Sequence, residues 1–138
     1  MSKKAAIDLS NINLQNEASL REKIIELIPN IIYIYDLEKK FNIYSNSLSR
    51  KILGYSNSEL KSMKRSLSRI FHPEDLPAIA QHHQDCLHLN QGNYLTVEYR
   101  VQDKQGNWHW LESKDTVFER DAFGKPIKIL GDAQDITE

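Results

Sequence analysis

The densest group of reactive side chains is His82-His83-Gln84-Asp85-Cys86-Leu87-His88. If this stretch is helical, His82 lies four residues and His83 three residues before Cys86, which puts a thiol and an imidazole within reach of each other. A nucleophilic cysteine needs more than that contact, because its surroundings must favour the thiolate. A buried, inert thiol is therefore expected at Cys86. Zinc is disfavoured by spacing. Ligands on one helix face fall at i and i+4, whereas His82 to Asp85 is i+3 and His83 to His88 is i+5, and no second cluster supplies the remaining ligands. The sequence contains no G-x-S-x-G elbow, no phosphate-cradling glycine loop and no H-E-x-x-H. Neither catalytic residues nor a metal site is expected, and a single cysteine excludes an internal disulfide.

The helix carrying these side chains is predicted from Leu76 to about Leu89, with Asp75 as its N-cap and Leu76, Ile79, Ala80, His83 and Leu87 as its apolar stripe. Three strands follow, near 94–103, 107–119 and 126–134, separated by the turns Asp103–Gly106 and Asp121–Lys125. Before the helix, Ile31–Tyr35 is rich in β-branched and aromatic residues and reads as a strand. A charged turn, Asp36–Lys40, returns it to a second strand at 41–45. Asn46 is expected to cap a short helix ending at Leu53, with Gly54 as its left-handed terminator. Ser56 and Glu59 have the spacing of a capping box for another short helix. Ser19 and Glu22 repeat that spacing ahead of Leu20, Ile24, Leu27 and Ile28, and Pro29 stops the helix they begin. This order predicts an α+β domain: a five-stranded antiparallel sheet with helices packed on one face, plus an N-terminal helix over 19–29. Residues 1–18 lack a strong period and are expected to be loosely ordered.

At 138 residues the chain is long enough for one ordinary core. A net charge of −1 and a pI near 6.5 argue against nucleic acid or a membrane surface as the main partner. The one cationic run, Lys61–Arg69, reads as a solvated face. No apolar run approaches the roughly 18 residues of a membrane span, and no signal core follows the N-terminal lysines. A cytoplasmic location is the expectation.

Several segments, in order, resemble the PAS sensory family. Ile28-Pro29 with Tyr33-Ile34-Tyr35-Asp36 resembles its first strand, and Tyr44-Ser45-Asn46 its second. Leu53-Gly54-Tyr55-Ser56 with Glu59-Leu60, the turn His72-Pro73-Glu74-Asp75, and Glu98-Tyr99-Arg100 resemble later family elements. Asp103-Lys104-Gln105-Gly106 with Trp110 resembles its hairpin, although Asp and Gly are usually adjacent there. Gly131-Asp132 with Asp135-Ile136-Thr137 resembles its Asp-Ile-Thr ending. The likeness covers about residues 27–138, and the subgroup is similar to that of bacterial histidine kinases and of diguanylate cyclases or phosphodiesterases.

The resemblance implies a non-catalytic module over 30–138 that binds a small ligand or dimerises, and so controls a downstream effector of the same chain. Its pocket would lie between sheet and helices, lined by Tyr33, Tyr35, Ile43, Leu53, Ile70, Ile79, His83, Leu87 and Tyr99. Tyr33 and Tyr35 share one strand face and either line this space or fill it. His83 would be the proximal ligand if heme were bound, and its alternative is a core histidine bonded to Tyr94 or Tyr99. No cofactor is expected. Flavin is disfavoured because Ser66-Leu67-Ser68-Arg69-Ile70-Phe71 lacks the cysteine of light-sensing relatives and Cys86 lies on the later helix. Leu20, Ile24 and Leu27 would form a homodimer interface. Arg100, with Lys114 as the alternative, would hold Asp135, which with Thr137 would couple the domain to its output.

Overall fold

The computed structural model describes residues 14–63 and 68–137. Helix α1 (Leu14–Leu27) leads into strands β1 (Ile31–Asp36) and β2 (Phe41–Ser45). Helices α2 (Leu48–Leu53), α3 (Asn57–Met63) and α4 (Leu76–Cys86) follow, then strands β3 (Leu95–Gln102), β4 (Trp108–Arg120) and β5 (Pro126–Asp135). The strands form one antiparallel sheet in the order β2-β1-β5-β4-β3. The last strand therefore lies at the centre, paired with the first. The five expected strands are all present, and α2, α3 and α4 pack on one face.

Local chemistry explains the turns. Asp103 Oδ1 accepts from the amides of Gln105 and Asn107, and Asp121 Oδ1 from those of Phe123 and Lys125. Such Asp turns replace backbone partners where the chain reverses. Gly54 ends α2 at φ 86°, a left-handed conformation that glycine adopts without steric cost. The Ser56–Glu59 box forms in full: the Glu59 amide donates to Ser56 Oγ, and the Ser56 amide to Glu59 Oε1. Ile31, Leu53, Tyr55, Leu60, Ile79, Tyr99, Val101, Leu111 and Ala133 make the main core between sheet and helices.

Three expected caps are corrected. Helix α1 begins at Leu14, so Ser19 and Glu22 lie inside it rather than at its start. The first thirteen residues of the segment expected to be loose lie outside the described residues, as do 64–67 of the basic run. Asn46 does not cap α2 with its side chain. Its amide instead donates to the Ile25 and Asn30 carbonyls and its Oδ1 accepts from the Ile32 amide, fastening the end of α1 to β1. Asp75 makes no cap bond at α4, because its carboxylate is taken by Arg100. Helix α4 also ends at Cys86, short of Leu89, and its buried residues are Ile79, His82 and Cys86, while Ala80 is exposed. No described helix is long and apolar enough to cross a membrane.

Candidate functional site

A cavity of about 90 Å³ lies between the sheet and α2–α4. Alternation along β1 points Ile31, Tyr33 and Tyr35 into it. Leu53, Ile70, Ile79, His83 and Tyr99 also line it, as expected. Ile43 and Leu87 do not. A bulge in β2 pairs Tyr35 with Asn42 and Ile34 with Tyr44, so Ile43 is the extra residue and Asn42 and Ser45 turn inward in its place. Leu87 follows the end of α4 and lines an outer groove.

The floor of the cavity is a polar network built from three elements. Asp115 on β4 is 1% exposed. Its Oδ1 accepts from the Tyr33 hydroxyl at 2.5 Å, and its Oδ2 lies 2.6 Å from His82 Nε2. Beside it, the Tyr99 hydroxyl and Ser113 Oγ share a hydrogen bond of 2.5 Å. Burial, then the Asp115 charge, pushes the Tyr33 hydroxyl well above its ordinary pKa, and burial raises Tyr99 as well. Both phenols stay protonated at physiological pH. No buried side-chain polar atom among the described residues lacks a partner, and a fully satisfied network of this kind is rigid.

Gly131 makes the network possible. It sits on β5 directly across from Tyr33 and Asp115. A Cβ there would meet Tyr33 Cζ and Cε1 and Asp115 Oδ1 at under 3.0 Å. Glycine inside a strand weakens it and marks a close approach of this kind.

Cys86, His82 and Asp115 bring together the three groups of a nucleophilic relay, but not its geometry. Such a relay uses opposite nitrogens of the imidazole. Here the same Nε2 faces both Asp115 Oδ2 and Cys86 Sγ, the latter at 3.8 Å. Burial, followed by the Asp115 and Asp85 charges, raises the thiol to about 12, and the side chain is 0% exposed. The expected thiol–imidazole contact is thus real, and the thiol is inert. No group of three or more metal-ligating side chains occurs among the described residues.

His83 is half-buried and stacks on Tyr35, with ring centroids 4.6 Å apart, instead of bonding Tyr94 or Tyr99. Burial, assisted by His82, lowers its pKa to about 4, so it is neutral at pH 7. The stacked pair stands between the cavity and the outer groove.

The exit of β5 differs from expectation. Arg100 does not reach Asp135: Tyr99 and Val101 on either side of it point into the core, whereas Asp135 pairs with buried Leu111 on the opposite aspect of the sheet. Arg100 instead forks onto Asp75, Nε to Oδ2 at 2.9 Å and Nη2 to Oδ1 at 2.8 Å, beneath the Trp110 ring. Lys114 lies over the Tyr94 ring at 3.9 Å. The partner of Asp135 is His109: Nδ1 lies 3.0 Å from Asp135 Oδ2, and Nε2 lies 2.8 Å from Asp103 Oδ2. A ring with a carboxylate on each nitrogen donates from both only when it is an imidazolium. Burial works against that form, but the hydrogen bonds to Asp103 and Asp135 outweigh it and the His109 pKa is raised. Thr137 completes the joint. Its amide donates to Asp135 Oδ1, its Oγ1 accepts from the Trp110 amide, and the Ile136 amide donates to the Trp110 carbonyl.

In α1, Ile24 is 47% and Leu27 81% exposed, whereas Leu20 is half-buried. Ile25 and Ile28 face a groove on the far side of the sheet with Ile32 and Leu130. The helix thus covers part of its own sheet and leaves two of the three expected interface residues in the open.

Sequence reasoning assigned Asp115 and His109 no site role, placed His82 only beside Cys86, and placed Gly131 only in the terminal motif. The i, i+4 spacing of His82 and Cys86 and the inward parity of Leu111, Ser113 and Asp115 were the available signals.

The chain is 33% identical to the two-component sensor PprA of Pseudomonas aeruginosa over 96% of its own length, which is 14% of that protein. It superposes on the PAS domain of a Colwellia psychrerythraea protein with a TM-score of 0.71 and 26% identity, covering 88% of this chain and 98% of that one. The N-terminal domain of a Marinobacter aquaeolei diguanylate cyclase with a PAS/PAC sensor shares the fold, with a TM-score of 0.63, 20% identity and coverage of 78% and 95%. The PAS fold family model matches residues 42–132. With the central β5, the helical excursion and the cavity between them, this match shows that the chain belongs to the PAS fold family.

Proposed function

We propose that this PAS domain is a sensory relay: it takes a small molecule into the cavity above Asp115 and passes the change through the β5 exit to a downstream effector. The observation that carries this reading is the cavity itself, apolar in its walls and polar in its floor. Pockets with a few fixed polar groups in an apolar lining are the usual form of ligand sites. At about 90 Å³, it has the room of roughly three waters, or of a ligand of about four to six non-hydrogen atoms. Heme does not suit this arrangement, since His83 is covered by Tyr35 and the space is far below the roughly 300–1,000 Å³ of even drug-sized ligands. Flavin is disfavoured for the same reason, and Cys86 is sealed behind His82. A colourless ligand and no resident cofactor or metal are the reading.

The effector is proposed to be a histidine kinase or a cyclic-di-GMP enzyme of the same chain in the cytoplasm, supported by the likeness to a two-component sensor. Homodimerisation through α1 is supported by exposed Ile24 and Leu27. A ligand-free dimerisation module is the second reading, favoured by Tyr33, whose ring and hydroxyl already occupy the network. Native mass spectrometry of the protein as purified separates the two. The sensor reading expects a small-molecule adduct without a visible absorption band. Bare protein, with no uptake of added small alcohols or polyols, would favour the second reading.

A further inference from the structure

A second, wider groove of about 530 Å³ opens between the β1–β2 turn and α4 and meets the inner cavity at Tyr35, Phe71, Ile79 and His83. Leu37, Leu76 and Leu87 supply apolar walls, and Gln81 and Gln84 supply neutral amides. Lys40 carries the only formal charge among the described residues that line it. No carboxylate among the described residues does, in a protein whose net charge is −1.

Two features mark Lys40 and His83 as more than surface groups. Lys40 is the only described non-glycine residue at positive φ, 57°, a left-handed conformation that glycine or asparagine adopts far more readily. Backbone strain of this kind collects at ligand clamps. Its ammonium forms no ion pair among the described residues. His83 shares the groove with Lys40, is neutral at pH 7, and its ring has no hydrogen-bond partner among the described residues. A cation and an unengaged N–H donor thus stand over an apolar trough.

We propose that this groove binds a free straight-chain monocarboxylate of medium length, its carboxylate on Lys40 and His83 and its chain along Leu37, Leu76, Ile79 and Leu87. The proposal rests on reading the domain as a ligand sensor and gives it a second, anionic ligand class. Binding there unstacks His83 from Tyr35 and so reaches the inner cavity through the residues the two spaces share. Isothermal titration of the intact chain with sodium octanoate is the test, with octan-1-ol as the uncharged control. Saturable octanoate binding is expected, with octan-1-ol at least tenfold weaker. Lys40→Asn, which suits the left-handed turn, should keep or raise Tm while weakening octanoate at least tenfold, and Lys40→Arg should restore most of the affinity. Absence of saturable binding, equal binding of the alcohol, or unchanged affinity in Lys40→Asn would overturn the proposal. So would capture by phosphatidylglycerol vesicles without binding of free octanoate, which would mark a membrane surface instead. If octanoate fails while another molecule is found in the inner cavity, the sensor reading stands and only the groove's assignment falls.

Discussion

Replacing Gly131 with alanine should damage this domain more than any single methyl group ordinarily would. The added Cβ meets the Tyr33 ring and Asp115 Oδ1 at under 3.0 Å, and neither can move aside without breaking its hydrogen bonds in the buried network. Overpacking a tight interior costs about 1–3 kcal/mol. Pushing the Tyr33 hydroxyl off the Asp115 carboxylate removes a buried bond to a charged acceptor, a further ~1.5–3 kcal/mol. The sum, roughly 3–6 kcal/mol, is a large part of the 5–15 kcal/mol that holds an ordinary domain together. Unfolding entropy near 2.1 cal/mol/K per residue gives about 0.3 kcal/mol/K for this chain, so Tm should fall by roughly 10–20 °C. Urea denaturation of Gly131→Ala, Tyr33→Ala and the double variant completes a cycle. In the Tyr33→Ala background the ring is gone, and the Gly131 change should cost at least ~1 kcal/mol less. A Gly131→Ala protein within ~1 kcal/mol of the parent, or costs that simply add, would refute the close approach as the reason for glycine here.

The His109 clamp predicts a pH dependence. Its folded pKa is raised above the ordinary 6.5, so its stabilisation is complete below that value and is lost as pH rises through the raised one. The urea midpoint should therefore decline more between pH 6 and 9 in the parent than in His109→Gln, and parallel curves would remove the clamp. Replacing Ile24 and Leu27 by glutamate should leave the fold intact and convert dimers to monomers in sedimentation velocity, whereas an unchanged profile would exclude this face. In a longer protein carrying an output region, Asp135→Ala should abolish or lock the response to signal while the domain itself stays folded by circular dichroism. Unaltered basal activity and response would reduce Asp135 to a strand-end charge.

Much of the fold was legible because its determinants are local. The β-branched run Ile31–Tyr35, the Asp-led turns and the Ser56–Glu59 box all act within a few residues, and each formed as read. Two expected caps were lost to distant partners. Asp75 was drawn to Arg100, 25 residues away, and Asn46 to the end of α1. The network was hidden for the same reason. The apolar spacing of Leu76, Ile79 and Ala80 pointed to His83, which does line the cavity, but Asp115, 33 residues on, makes burial of the neighbouring His82 favourable as well. A polar residue buried by a partner on another element does not register as part of an apolar period, even where strand parity, as for Asp115, would place it inward. Strand parity does separate Arg100 from Asp135, but only once the pairing of β4 with β5 is known.

A sensory role requires that the cavity above Asp115 admit a small ligand. ¹H–¹⁵N correlation spectra of the ¹⁵N-labelled chain titrated with glycerol test it most directly. Saturable shifts are expected on the amides of Ile31, Leu53, Val101 and Ala133, which line the cavity, and should be lost when Val97→Phe fills it. Shifts that are absent, that grow linearly across the surface, or that persist unchanged in Val97→Phe would contradict it.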